Sequence, residues 1–197
     1  MNHPDWPAFL AAIVADPDDD TARLVAADFL EENGDPDRAA FVRAQVELAR
    51  LEAAGRGKTR EADELRKREK AFLGPLAVYR HFWAAEDCPE LVKLGFNERN
   101  GGSPLGDVQV TGADQLRWRR GFIEAVNCPA LMWLRHGEAV RKRNPIRDVT
   151  LTHCDRMARD NWYAALAPLT GLRSVGLSGA EPGTGGWLEG WLPGTEV

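Results

Sequence analysis

Apolar residues recur at helical spacing along the first third of the chain, most clearly at Phe9, Leu10, Ile13 and Val14. This spacing, together with residues that favour helix ends, predicts four helices. They begin after Asp5, at Asp20 or Thr21, after Asp35 and at about Arg60. Gly34 ends the second helix, since glycine readily adopts the left-handed conformation that closes a helix. We therefore expect residues 1–75 to form a helical module.

A different pattern recurs in the last third of the chain, at a spacing of 26 residues. It comprises "RGFIEAVNC" from Arg120, "IRDVTLTHC" from Ile146 and "LRSVGLSGA" from Leu172. The second and third copies match the leucine-rich pattern L-x-x-L-x-L-x-x-N/C, whereas the first is degenerate. Each copy predicts a strand, a turn and a helix that bury their apolar face by stacking on a neighbour. The predicted fold class is α/β, with residues 118–197 forming a short leucine-rich-repeat-like stack of about three units, a parallel sheet and an irregular C-terminal cap.

Residues 76–117 are predicted to connect these two parts. "LAVYRHFWAAEDCPELVKLGF" favours a helix, and "NERNGGSPLGD" has the composition of a loop. "VQVTG" alternates apolar and polar residues, so we expect it to pair with "LRWRRGF" as a hairpin at the start of the sheet.

Two stretches resemble a known family. Residues 8–51 contain the pattern D-x-x-x-R-L-V-x-A-D-x-L-E-E-x-G-D from Asp19 to Asp35, and "WRRGFIEAV" follows from Trp118. Both are similar to the repeat-companion domain, a helical module that begins many proteins in some large bacterial genomes and often precedes leucine-rich-type repeats. The resemblance implies this architecture in a bacterial protein, and it implies no activity.

Charge is distributed unevenly around a net charge of −5. Residues 1–54 carry twelve acidic and four basic side chains, whereas residues 117–147 carry eight basic and two acidic ones. The three cysteines are scattered and form no CxxC motif, so reduced thiols are expected. Without an apolar run long enough for a membrane or a signal-peptide pattern, the expected location is the cytoplasm, with no membrane partner.

His153, Cys154 and Asp155 stand side by side and raise the question of a catalytic or metal site. In the 26-residue spacing, Cys128 and Cys154 face the core on adjacent strands, while His153 points to the opposite face. A zinc site requires four ligands, and a catalytic thiol requires a base within reach. The acidic run at residues 16–20 also lacks the glycine and glutamate of a calcium loop. We therefore expect no catalytic residues, no metal, no cofactor and no small-molecule substrate.

The favoured function is a non-catalytic protein-protein interaction or scaffold module. Adjacent strands of a repeat stack expose rows of side chains that bind partners. The predicted partner-binding residues are Phe122, Glu124, Asn127, Asp148, Thr150, Thr152 and His153, beside the exposed positions Val126, Ser174, Gly176 and Ser178.

The alternative is an accessory subunit of a nucleic-acid-binding complex. Arginines beside aromatic residues suit phosphate contacts and base stacking. The candidates are Arg117, Trp118, Arg119, Arg120, Arg141, Lys142, Arg143 and Arg147. The same cations also suit the end of a helix or pairing with the acidic N-terminal helices. The sequence leaves these interpretations open.

Overall fold

The computed structural model describes residues 3–73, 78–96, 108–111, 116–156, 169–179 and 195–196. Its helices are α1 (Trp6–Ala15), α2 (Asp20–Glu32), α3 (Pro36–Ala53), α4 (Arg60–Leu73), α5 (Val78–Asp87) and α6 (Ala130–Arg143). Its strands are β1 (Lys93–Phe96), β2 (Val108–Thr111), β3 (Leu116–Arg119), β4 (Phe122–Pro129), β5 (Asp148–Thr152) and β6 (Ser174–Leu177).

The four predicted N-terminal helices are confirmed, and their ends show why they form. Asp35 caps α3 by accepting a hydrogen bond from the backbone N–H of Arg38 at 3.1 Å. Asp19, one residue before the predicted start, caps α2 by accepting from Thr21 N–H at 2.8 Å. Gly34 follows α2 with φ of 88°. Asp5 precedes α1, but its side chain makes no capping hydrogen bond, so its predicted capping role is wrong.

A four-stranded mixed sheet follows the helices, in the order β3-β4-β5-β6. β3 and β4 form an antiparallel hairpin, whereas β4, β5 and β6 run parallel. Glu196 continues the parallel arrangement by bridging to Ser174. The α/β class is confirmed. The segment predicted as a helix between β5 and β6 lies outside the described residues apart from Leu169, and so do Trp187–Leu192 of the predicted C-terminal cap.

The strand register matches the 26-residue spacing at only one of its two steps. Val149 lies opposite Val175, as that spacing predicts. Val126, however, lies opposite Val149, and Cys128 lies opposite Leu151. The predicted pairing of Cys128 with Cys154 is therefore wrong.

The cause is a β-bulge at Glu124. Arg117 pairs with Ala125 and Trp118 pairs with Ile123, so Glu124 is an extra residue in β4. A one-residue insertion reverses which alternate positions face the core. Ile123 is buried before the bulge, and Val126 and Cys128 are buried after it.

The connector differs from its prediction at two points. α5 ends at Asp87, shortly before Pro89, and the chain then enters β1 instead of continuing as a helix. β2, which contains "VQVT", pairs with β1 in an antiparallel arrangement and not with β3. Residues 97–107, which include most of the predicted loop, lie outside the described residues.

The helical module packs directly against the sheet through shared apolar clusters. Phe41 of α3 and Trp83 of α5 contact the core on one sheet face, where Trp133 of α6 also lies. Phe122 of β4 joins the cluster formed by α1, α2 and α3. The two halves of the chain therefore stabilise each other.

The tightest contact between them occurs at Gly121, in the turn of the β3–β4 hairpin. Its N–H donates to Oε1 of Gln45 at 2.7 Å, and its φ is 86°. A Cβ atom on this residue would lie 2.5 Å from Cγ2 of Val42. Only glycine combines this backbone conformation with such a close approach of α3.

Gly121→Ala is expected to lower the free energy of unfolding by about 2–4 kcal/mol, because it adds a steric clash to an unfavourable backbone conformation. Gly55→Ala is the matched control, since Gly55 also has a positive φ of 70° but has no atom within 4 Å of the point where a Cβ atom would lie. Urea denaturation of both variants measures the difference. Equal losses would contradict the importance of the Val42 contact.

Candidate functional site

The outer face of the sheet presents a continuous row of short polar side chains. Along β5, Val149 and Leu151 are buried, while Thr150 is exposed between them. The strand register aligns Asn127, Thr150 and Gly176 across three parallel strands. We call this surface the strand face. It comprises Ala125, Asn127, Asp148, Thr150, Thr152, Ser174 and Gly176.

The strand face is shallow because its residues are small. A Cβ atom on Gly176 would lie 3.2 Å from Oγ1 of Thr150, so the glycine lets the threonine lie against its neighbouring strand. Hydroxyl and amide groups project from this surface without long flexible chains. Such groups bind a partner at a low cost in side-chain entropy.

Asp148 is held at one end of this face by two neighbours. Arg173 donates to it through both Nε, at 2.9 Å, and Nη2, and the Ser174 hydroxyl donates at 2.8 Å. Burial raises the pKa of Asp148, but these hydrogen bonds and the charges of Arg173 and Arg119 outweigh it and lower the pKa overall. Asp148 therefore stays ionised and paired at neutral pH.

His153 lies at the opposite end of β5 and is exposed, as predicted. It follows the strand instead of forming part of it, with φ of 54°. Its Nδ1 lies 3.1 Å from the Thr152 hydroxyl. Cys154 points away from it into the core. Asn127, Asp148, Thr150, Thr152 and His153 are thus accessible in whole or in part.

Three residues predicted to be exposed on the first strand are buried instead. Phe122, Glu124 and Val126 each have at most 2% of their surface exposed. Phe122 packs on Trp6, with ring centroids 6.4 Å apart. The prediction of exposure is wrong because α1 and α2 cover the beginning of β4 and because the bulge shifts the alternation. Of the first-strand candidates, only Asn127 remains on the surface.

Glu124 forms a buried ion pair with Arg23 of α2. Nη2 of Arg23 donates to Oε1 of Glu124 at 2.8 Å, and both side chains are almost fully buried. Arg23 also donates to the carbonyls of Arg119, Arg120 and Pro17. Burial lowers the pKa of Arg23 to about 10, against the opposing effect of Glu124. Glu124 is therefore part of the fold and not of a free surface.

The sequence contained one signal of this contact that the helical pattern alone did not reveal. Arg23 stands on the same helical stripe as Ala26, Ala27 and Leu30, all of which are buried. A charged residue on a buried stripe indicates a partner of opposite charge elsewhere in the chain.

The basic segment is largely paired within the protein. Arg147 binds Asp18 with both terminal nitrogens, at 2.6 and 3.1 Å, and Arg120 lies 3.3 Å from the same carboxylate. Pairing with the acidic N-terminal part of the chain is thus confirmed for these two arginines. Of the other cations, Arg143 pairs with Glu90 and Lys142 with Glu138, and Arg141 donates to the Thr170 carbonyl.

Trp118 and its two neighbours behave differently from each other. Trp118 is 9% exposed and packs in the core beside Phe41 and Trp83. It is therefore not accessible for base stacking, contrary to its place among the nucleic-acid candidates. Arg117 and Arg119 project from the other face of β3 and are exposed. Neither forms an ion pair with the described residues.

The cysteines occupy sites that suppress their reactivity. Cys88, Cys128 and Cys154 are free and buried. Burial raises the pKa of Cys128 to about 12 and also raises the pKa of Cys88 and Cys154. The Cys154 thiol donates weakly to the Leu151 carbonyl at 3.4 Å. Among the described residues, no group of three or more metal-binding side chains comes together.

Comparison with known proteins does not assign a family, since no protein-family model, curated protein or solved structure matches the chain. The resemblance to the repeat-companion domain therefore stays a prediction. Its two stretches, residues 8–51 and 118–126, are joined in the fold by the Arg23–Glu124 pair and by the Gln45–Gly121 hydrogen bond. Within the described ranges, no helix has both the length and the apolar character needed to cross a membrane.

Thiol labelling measures the environment of the three cysteines. At pH 8 a thiol with a pKa near 12 is ionised roughly a thousandfold less often than one with an ordinary pKa of about 8.5. We expect the native protein to react slowly with Ellman's reagent and all three thiols to react rapidly after unfolding in urea. A fast-reacting thiol in the native protein would contradict this picture.

Glu124→Ala is expected to destabilise the protein by about 3–5 kcal/mol, because it leaves the buried charge of Arg23 without its partner. Glu138→Ala removes the partner of an exposed lysine and is expected to change the stability little. The urea midpoints of the two variants measure the contrast. A folded Glu124→Ala variant of normal stability would return Glu124 to the surface candidates.

Proposed function

We propose that the protein is a non-catalytic interaction or scaffold module that binds a protein partner through the strand face. The observation that carries this proposal is the aligned row of Asn127, Thr150 and Gly176 on adjacent parallel strands. It offers short hydrogen-bonding side chains on a rigid support. Rigid rows of this kind lower the entropy lost when a complex forms.

We also propose that the strands belong to a leucine-rich-type stack, as the sequence predicts. The 26-residue register between β5 and β6 supports this proposal, as does the parallel bridge between Ser174 and Glu196. Repeat stacks of this architecture use their strand rows as binding surfaces.

An accessory role in a nucleic-acid-binding complex is the second candidate. One observation favours it, namely that Arg117 and Arg119 are exposed and carry no ion pair among the described residues. Against it, Arg120 and Arg147 are neutralised by Asp18, and Trp118 is buried. The protein-binding function therefore has the stronger structural support.

We propose the cytoplasm as the place where this module works. Its three cysteines are free thiols within the core, and reduced cysteines are typical of that compartment.

A photo-crosslinking amino acid at Thr150 identifies what touches the strand face in cells that produce the protein. Ala71 is the matched control position, since it is an exposed small residue on α4. We expect Thr150 to yield a specific protein adduct that Ala71 does not yield. Identical adducts from both positions would argue against the strand face as the binding surface.

Thr150→Arg is expected to weaken binding of the purified partner at least about tenfold, because a long charged side chain would disrupt a closely packed interface. Ala71→Arg adds the same side chain elsewhere and is expected to leave the affinity unchanged. Isothermal titration calorimetry measures both affinities, and circular dichroism checks that both variants fold. Unchanged binding by Thr150→Arg would refute the proposed function.

A further inference from the structure

We propose that the strand face receives an acidic, extended segment of its protein partner, with the carboxylates of that segment bound by Arg117 and Arg119. This inference rests on the proposed function and specifies the chemistry of the partner. It depends on how charge is arranged across the sheet.

The two arginines form one border of the strand face. The alternation of β3 buries Leu116 and Trp118 and directs Arg117 and Arg119 to the outer side. Arg117 lies opposite Ala125, which is itself in register with Asp148. Residues two positions apart on a strand are about 6.8 Å apart. This spacing matches alternate carboxylates on an extended peptide.

No acidic group in the described part of the sheet forms an ion pair with this border. Asp148, two strands away, senses the charge of Arg119 but is already bound by Arg173 and Ser174. Glu196 continues the same row beyond β6, four strand spacings or about 19 Å from β3. That separation exceeds the screening length of about 8 Å at physiological salt. The strand face is thus basic at the β3 border and acidic at the other.

The treatment of the other cations makes the exposed pair informative. The chain neutralises Arg120 and Arg147 with Asp18, and Arg143 with Glu90. Arg117 and Arg119 are left exposed in a protein whose net charge is −5. Two arginines without an ion pair in the described structure, beside neutral hydrogen-bonding groups, provide a site for carboxylates.

A protein segment fits these features better than a nucleic acid does. The net negative charge of the protein repels a polyanion, and the acidic border at Glu196 would lie against an extended phosphate backbone. The tryptophan between the two arginines is buried and cannot stack on bases. Asn127 and Thr150, by contrast, offer an amide and a hydroxyl that hydrogen-bond to a peptide backbone.

The test uses a fluorescent twelve-residue peptide of alternating glutamate and serine. Its binding to the intact chain is measured by fluorescence anisotropy at 20 and 150 mM salt. A lysine–serine peptide of equal length and a twelve-nucleotide thymidine oligonucleotide are the comparison probes. We expect binding of the acidic peptide alone, weakened at the higher salt concentration.

The double variant Arg117→Glu, Arg119→Glu is expected to weaken binding of the acidic peptide about tenfold or more. The double variant Arg60→Glu, Arg68→Glu changes the net charge by the same amount at exposed positions of α4, and it is expected to change the affinity less than about twofold. Circular dichroism confirms that both variants keep the native fold.

Every other result overturns the inference. Absence of acidic-peptide binding, or equal losses in the two double variants, would exclude a specific carboxylate site at Arg117 and Arg119. Preferential binding of the oligonucleotide would assign these arginines to nucleic acid. If Thr150→Arg still weakens binding of the native partner in any of these cases, the proposed function stands and only the acidic character of the partner fails.

Discussion

The buried guanidinium of Arg23 is the interaction on which the arrangement of this protein depends. It donates to Glu124 and to the carbonyls of Arg119 and Arg120, so it fixes the β3–β4 hairpin on α2. A charge in such a site is tolerated only when its partners are in place. The close contact of Gly121 with Val42 adds a steric requirement at the same turn. Together they position the first strand of the parallel sheet relative to the helices.

That position determines where the functional surface begins. The beginning of β4 lies under α1 and α2, and the bulge at Glu124 directs the carboxylate towards Arg23. β4 reaches the surface only beyond the bulge, at Asn127. From there the parallel register carries the same level to Thr150 and Gly176. The fold therefore divides one strand between a structural half and a surface half.

Charge follows the same division. The acidic N-terminal part and the basic segment, far apart in sequence, meet in the fold and largely neutralise each other through Asp18. Internal pairing of this kind explains why a cluster of cations in the sequence does not form a single cationic patch. What remains exposed is the pair on β3. The position of these two arginines, more than the number of basic residues, defines the chemistry available to a partner.

The sequence by itself determined the features that depend on neighbouring residues: four N-terminal helices with the Asp35 cap and the Gly34 terminus, the α/β class, the strands of the second and third repeats, and the outward position of Thr150 and His153. These follow from local backbone preferences and from alternation along one strand. Only the tertiary structure decided that Phe122 and Glu124 are buried, that Cys128 lies opposite Leu151, and that Arg120 and Arg147 are paired. Each of these depends on residues distant in the chain, and a single-residue bulge reverses alternation without leaving a mark in the apolar pattern.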